Sequence, residues 1–160
     1  MKSIHDLLGM PIVTVQQGIR LGTVKGVELD ATANRIAYLH FDGADTRADG
    51  VVPWDRVRTV GEDAITIESL AEVLEAIPAA ERDRVTPDVG DRPVMTESGK
   101  RLGRVTGYDV DEKTGRIERY HVATGGLFGR LTRSEISFPP AAVRAFGPDA
   151  MVVKDEAGRS

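Results

Sequence analysis

The sequence contains two copies of one pattern, and this internal repeat constrains the fold more than any single motif. Residues of the first half recur in the second half in the same order and at a constant interval. The matched pairs are Gly9 and Gly90, Gly18 and Gly99, Gly22 and Gly103, Val24 and Val105, Gly26 and Gly107, Asp30 and Asp111, and His40 and His121. After the histidines the interval lengthens, and Pro53 aligns with Pro139. Two copies of one small structural unit are therefore expected.

Each copy is small for an independent domain. The chain has 160 residues, and a unit of under half that length buries only about 60% of the surface that its unfolded chain exposes. We therefore expect the copies to pack on each other, on the segment between them, or on a second chain as a homodimer. The predicted units are repeat 1 over residues 1–68, a helical linker over 69–84, repeat 2 over 85–153, and a tail over 154–160.

The distribution of charge disfavours nucleic acid as a partner. The formal net charge is −4, with 7 basic and 10 acidic side chains in residues 1–68 and with 10 and 9 in residues 85–153. Counterion release from phosphates requires a basic stripe, which this sequence lacks. The cysteine count of 0 excludes disulfides and thiolate chemistry. Without a signal peptide or an apolar run of about 18 residues, a cytoplasmic protein with no membrane insertion is expected.

Both copies show the alternation of apolar and polar residues that predicts β-strands. Four glycines lie inside the longest predicted strands, where glycine usually marks a bulge or a sharp bend: Gly22, Gly26, Gly103 and Gly107. Sheets that bend at matched positions curl, and a small curled sheet can close into a barrel that hides its edges. The predicted fold is therefore all-β, with two small curled barrels.

The segments between the strands carry turn and cap signals. The turns after the long strands end in Asn34 and Gly115, residues that tolerate a left-handed backbone. Between the copies, Ser69–Glu72 has the spacing of a capping box, and an apolar stripe follows it. A short α-helix is predicted to begin there and to end before Pro78, with a surface linker after it.

The ordered elements of both copies resemble the PRC-barrel domain family. They are Asp6 to Gly9, Gly18 to Val24, Arg35 to Tyr38 and Val52 to Val57 in the first copy, and Val89-Gly90, Gly99 to Val105, Gly115 to Ile117 and Phe138 to Val143 in the second. Together they cover nearly the whole chain. The resemblance implies two tandem barrels of the PRC type joined by a short α-helix, and a tendency to act as an adaptor.

The copies depart from the family pattern in different places. The second copy has Pro140-Ala141 where the first has Trp54-Asp55. The second copy alone has a glycine-rich loop, which places large apolar side chains beside arginines: Leu127, Phe128, Arg130, Leu131 and Arg133. Such combinations are typical of protein interfaces, and a flap folded over the barrel is the alternative. We expect this loop to contact an unidentified protein partner.

The sequence favours no catalytic or cofactor site. His40 and His121 recur, yet a metal site normally needs three or four ligands, so a hydrogen-bonded or solvent-facing histidine is the preferred interpretation. The segment after Asp109 lacks the glycine and the glutamate of a calcium loop. We therefore expect no enzyme activity, no cofactor and no resident metal. The favoured function is a non-catalytic cytoplasmic protein-interaction or scaffold module. The alternatives are an RNA- or ribosome-associated maturation factor, an activity known in the family, and a small-ligand or metal-binding stress protein.

Overall fold

The computed structural model describes residues 1–87, 90–124 and 134–158 and shows a chain built almost entirely of β-structure. Its strands are β1 (Lys2–Ser3), β2 (Pro11–Thr14), β3 (Arg20–Asp30), β4 (Ile36–Gly43), β5 (Gly50–Pro53), β6 (Val57–Val60), β7 (Ile65–Ile67), β8 (Val85–Pro87), β9 (Pro93–Thr96), β10 (Arg101–Val110), β11 (Ile117–Thr124), β12 (Ser134–Phe138), β13 (Val143–Phe146) and β14 (Met151–Val153). One α-helical turn, α1 (Ile4–Leu7), follows β1. Further 3₁₀ turns are Trp54–Arg56, Leu70–Glu72, Ala79–Arg84, Pro140–Ala142 and Asp155–Gly158.

Each copy of the repeat forms a sheet with the same strand order, which confirms the predicted tandem repeat. The order is β5-β4-β3-β2-β7-β6 in the first sheet and β12-β11-β10-β9-β14-β13 in the second. One pair in each sheet is parallel, β2 with β7 and β9 with β14. The expected closed barrels are not seen: among the described residues, no ladder joins β5 to β6 or β12 to β13. A 3₁₀ turn lies between the strands of each such pair.

The strand register is irregular at each of the four glycines for which a bend is predicted. The ladders skip the residue directly before each glycine, namely Leu21, Lys25, Leu102 and Thr106. At two of the four glycines the neighbouring strand also comes very close. A Cβ atom on Gly22 would overlap the carbonyl oxygen of Asp42, and one on Gly103 would overlap that of Ala123. These two positions therefore accept no larger residue without a shift of the backbone.

The α-helix predicted for the linker is not formed. Ser69 Oγ accepts a hydrogen bond from the backbone N–H of Ala71 at 3.1 Å, but it caps only a single 3₁₀ turn. Leu74 then forms an isolated antiparallel bridge with Val51 of β5. The backbone groups of Leu74 bond to the sheet, and they are therefore not available for a helix.

The turn between β3 and β4 also differs from its prediction. The left-handed residue is Ala33, with φ of 56°, rather than Asn34. The carboxylate of Asp30 accepts a hydrogen bond from the Asn34 backbone N–H at 2.8 Å, which fixes the turn one residue earlier. In the second copy Gly115 is left-handed as expected, with φ of 75°.

The two copies exchange their leading strands. β1 lies at the start of the first repeat but pairs with β10 of the second, whereas β8 lies at the start of the second repeat but pairs with β3 of the first. Ser3 of β1 pairs with Asp109, and Pro87 of β8 pairs with Glu28. Glu28 and Asp109 are equivalent residues of the repeat. The equivalent residues Arg35 and Arg116 also form a bridge between the sheets. The copies are therefore a packed tandem with approximate twofold symmetry.

One hydrophobic core extends through both copies. Its buried side chains include Phe41 of the first sheet and Tyr108 of the second. The Tyr120 hydroxyl donates a hydrogen bond to the Ala33 carbonyl across the junction. Trp54 lies against Gly115, where an added Cβ would be 2.5 Å from the indole Nε1. The junction thus buries apolar surface, which stabilises both copies together.

Candidate functional site

The outer face of the first sheet carries polar side chains that the shared core does not cover. Gly26 pairs with His40, which in turn pairs with Val51, so these residues lie in a row across three strands. Glu28 is two residues along β3 from Gly26 and therefore points to the same side. The linker crosses this face, where Ile77 packs in a small second core. A pocket beside His40 remains next to the linker.

The pocket has a volume of about 440 Å³. One part of it is apolar, and the other part is a rim of charged and polar side chains. Its lining residues are Gly50, Val51, Ala76, Ile77 and Val85 in the apolar part, and Lys25, Glu28, His40, Asp49, Glu75 and Arg82 in the rim.

One side of the rim is held in place by Asp49. Its Oδ1 accepts a hydrogen bond from the Gly43 backbone N–H at 2.8 Å. Lys25 Nζ lies 3.6 Å from Asp49 Oδ2 and 3.4 Å from Asp42 Oδ1. The hydrogen bond from Gly43, together with the positive charge of Lys25, lowers the pKa of the Asp49 carboxyl below its usual range. Lys25 is therefore already shared between two carboxylates.

The other side of the rim has an excess of negative charge. Arg82 uses its Nε to donate a hydrogen bond to the Ile77 carbonyl at 3.3 Å, so part of its guanidinium is engaged. The Glu28 carboxylate lies 3.3 Å from His40 Nε2. Glu75 makes no hydrogen bond or ion pair with any other described residue and is exposed. The pocket thus presents carboxylates to whatever enters it.

The equivalent position in the second copy is covered by α1. His5 Nε2 lies 3.0 Å from the place where Gly107 would carry a Cβ, and it is hydrogen-bonded to the Thr106 carbonyl oxygen at 2.8 Å. The Ile4 Cγ2 methyl adds a contact at 3.8 Å. At Gly26, by contrast, nothing lies within 4 Å of the corresponding point. The same backbone feature is therefore covered in one repeat and open in the other.

The two recurring histidines have acidic neighbours at equivalent positions. His40 Nε2 lies 3.3 Å from Glu28, whereas His121 Nε2 lies 2.8 Å from Asp109 and its Nδ1 is 3.5 Å from Glu135. Each imidazole thus has a carboxylate hydrogen-bond partner at Nε2, whereas the buried Nδ1 of His121 makes no hydrogen bond to any described residue. The two histidines belong to separate sheets, and in the described parts of the chain no three His, Cys, Asp or Glu side chains are grouped as metal ligands.

The segment predicted to contact a partner, with Leu127, Phe128, Arg130, Leu131 and Arg133, lies outside the described residues. That contact stays a prediction. The pocket beside His40 was not predicted, because its lining comes from strands and a linker that are separate in the sequence. The one signal for it was the apolar stripe that contains Ile77, which required a surface to cover.

A model of the PRC-barrel domain matches the chain twice, over residues 1–74 and 86–159. The chain belongs to the PRC-barrel domain family. PRC-barrel domains in tandem are commonly interaction modules. The comparison with curated proteins found no significant match. No helix in the described part of this PRC-barrel protein has the length and apolar character required to cross a membrane.

Proposed function

We propose that this tandem PRC-barrel protein is a non-catalytic cytoplasmic interaction module that binds a short segment of a partner protein in the pocket beside His40. The partner segment presents a hydrogen-bond donor, an imidazole, lysine or arginine side chain, next to an aliphatic residue. One observation carries the proposal. In the second copy His5 and Ile4 make this pair of contacts at Gly107, and the equivalent surface at Gly26 is open.

The size of the pocket suits one or two side chains. Its volume of about 440 Å³ is near the lower end of the range for ligand pockets, roughly 300 to 1,000 Å³. Ile77, Val51 and Val85 provide an apolar surface on which an aliphatic side chain can be buried. Such burial contributes about 1.5–3 kcal/mol, which gives a weak, reversible contact unless neighbouring surface also takes part.

The charge of the rim favours a donor over an acceptor. Glu28, Asp49 and Glu75 are acidic, whereas both cations of the rim already contact other groups. An incoming carboxylate would be repelled by these acids, and an incoming ammonium, guanidinium or imidazolium would be attracted. The covered copy shows the same preference, since His5 bonds to a carbonyl oxygen there.

The test uses a capped peptide with the sequence of residues 3–8 and follows backbone amide shifts of the isotope-labelled protein by NMR. We expect saturable shifts at Gly26, His40 and Val51. The same peptide with His5→Ala should bind about tenfold more weakly, because its donor is missing. The His5→Arg peptide should bind at least as tightly as the original, since the rim is acidic.

The matched variant is Gly26→Val in the protein. The position has open space and no positive φ, so valine should fold normally and place its side chain on the open surface next to His40, where the donor of the peptide is expected to lie. We expect this variant to keep its melting temperature and to lose peptide binding. Shifts that persist in Gly26→Val, or equal binding of the peptide without the donor, would refute the proposed pocket.

A further inference from the structure

Two equivalent arginines face each other where the approximate twofold axis passes between the sheets. Arg35 and Arg116 form an antiparallel bridge. On each side of it, the N–H of the residue after one arginine donates to the carbonyl of the residue before the other, both at 2.8 Å. The arginines themselves are therefore a non-hydrogen-bonded pair, with Cα atoms about 4.5 Å apart and side chains on one side of the bridge.

Neither guanidinium has a partner in the described part of the chain. Both arginines are exposed, and no hydrogen bond or ion pair from either side chain is formed there. Like charges placed directly opposite each other destabilise a pair of strands. The protein nevertheless carries the same residue at both positions of the repeat, so two positive charges lie on the same side of the bridge.

The arginines line a groove of about 760 Å³ that both repeats contribute to. The charged groups that line it are Arg35, Arg58, Lys113 and Arg116, with Asp55 and Glu112 as the acids. Two of these are already paired: Arg58 lies 3.4 Å from Glu68, and Glu112 lies 2.8 Å from the Met1 amino group. Three cations and one carboxylate remain without an ion pair among the described residues.

We propose that this groove binds a phosphate monoester or inorganic phosphate between Arg35 and Arg116. Two guanidinium groups match the two negative charges of such a group, and each can donate two parallel hydrogen bonds to its oxygens. Lys113 supplies a further positive charge at the rim. A bound dianion also removes the repulsion between the arginines, so its binding stabilises the junction of the repeats.

The chain has a built-in reporter for this site. Trp54 is the single tryptophan of the sequence, and its indole lines the groove and lies against Gly115. Titration with inorganic phosphate at low ionic strength should change the tryptophan fluorescence in a saturable way. Acetyl-phosphoserine amide should give the same response, and chloride at equal ionic strength should give none. If inorganic phosphate binds much more tightly than the phosphoserine compound, free phosphate is the ligand.

Arg35→Gln and Arg116→Gln should each weaken phosphate binding about tenfold. Arg101→Gln, which removes an exposed charge outside the groove, should have no effect. At low salt each of the two groove variants should also melt higher than the parent without ligand, because the repulsion is gone. Arg35→Lys keeps the charge and should bind with intermediate affinity, which separates loss of the ligand site from misfolding.

Three results would overturn the proposal. They are an absence of saturable binding, equal weakening by Arg101→Gln, and tighter binding of oligouridylate that does not depend on Arg35 or Arg116. The last result would favour an RNA surface. The groove and the pocket beside His40 share no lining residue, so Gly26→Val should bind phosphate like the parent, and Arg35→Gln should bind the peptide like the parent.

Discussion

The outer faces of the two repeats have nearly the same backbone but different covers. In the second repeat a side chain of α1 lies over Gly107 and bonds to the adjacent carbonyl. In the first repeat the linker covers only part of the face, and Gly26 is left open. Two copies of a duplicated unit can therefore differ in which segment covers the same backbone position. In one copy the position anchors the leading segment of the chain, and in the other it is left open.

The largest expected effect comes from separating the two repeats. Residues 1–80 and 81–160, produced as two chains, should each fail to fold alone, because each repeat needs a strand from the other half. Mixed in equal amounts, they should regain the far-UV circular dichroism and cooperative melting of the parent. If either half alone gives dispersed NMR amide signals, that repeat folds independently. The structure of its outer face then does not depend on the other repeat.

Limited proteolysis provides a check on the intact chain. The first cut is expected between Pro78 and Arg84, in an exposed part of the linker. The two fragments should remain together on a sizing column because of the exchanged strands. Fragments that elute separately would contradict the exchange.

A smaller effect distinguishes the glycines of the long strands. Gly22→Val and Gly103→Val should each lower the free energy of unfolding by roughly 1–3 kcal/mol, since a side chain there meets the backbone of the neighbouring strand. Gly26→Val is the matched control and should change it by less than about 0.5 kcal/mol. Denaturant midpoints measure all three. Equal midpoints for Gly22→Val and Gly26→Val would show that the close approach of the neighbouring strand does not require glycine at position 22.

His5→Ala makes the second outer face resemble the first. Loss of one exposed hydrogen bond to the Thr106 carbonyl should lower the free energy of unfolding by only about 0.5 kcal/mol. The more informative result concerns binding, because the uncovered surface at Gly107 should now accept the donor peptide as well. NMR titration of this variant should therefore show shifts around both Gly26 and Gly107. Shifts confined to Gly26 would mean that the two faces differ in more than their cover.

The smallest effect is a pH dependence that belongs to the first repeat. The Gly43 hydrogen bond and Lys25 lower the pKa of Asp49 in the folded protein. Asp49 therefore stabilises the fold above the ordinary carboxyl pKa, and this contribution is lost as the pH falls through the lowered value. Asp49→Asn should show a smaller drop in melting temperature between about pH 6 and about pH 3. Glu135→Gln in the second repeat is the control, and a drop unchanged by Asp49→Asn would refute this role.

The repeat could be predicted because its two copies match in sequence, and the glycine bulges could be predicted because their signals are local. Gly22 and Gly103 interrupt alternating strands at matched positions, and a short window of sequence is enough to recognise a bulge there. The linker was predicted as a helix because its propensity and cap favour one. Pairing of Leu74 with Val51 overrides that preference, and no local pattern reveals a pairing partner.

The candidate site could not be predicted for a related reason. The pocket depends on which segment covers which face, and the groove depends on how the two sheets meet. Arg35 and Arg116 occupy equivalent positions of the repeat, but a repeat alone does not show that equivalent residues face each other across an axis. Symmetry between copies is a property of packing, so it becomes visible only in three dimensions.

The exchanged leading strands also set an order of events during synthesis. β1 leaves the ribosome early, yet its partner β10 is made only after the whole first repeat and the linker. The first repeat likewise lacks β8 until the linker has emerged. Contacts between such distant segments form slowly, because a long loop must close before they are made. A nascent chain that stops between the repeats therefore exposes two unpaired stretches of strand edge, which makes this stage the one most in need of protection from aggregation.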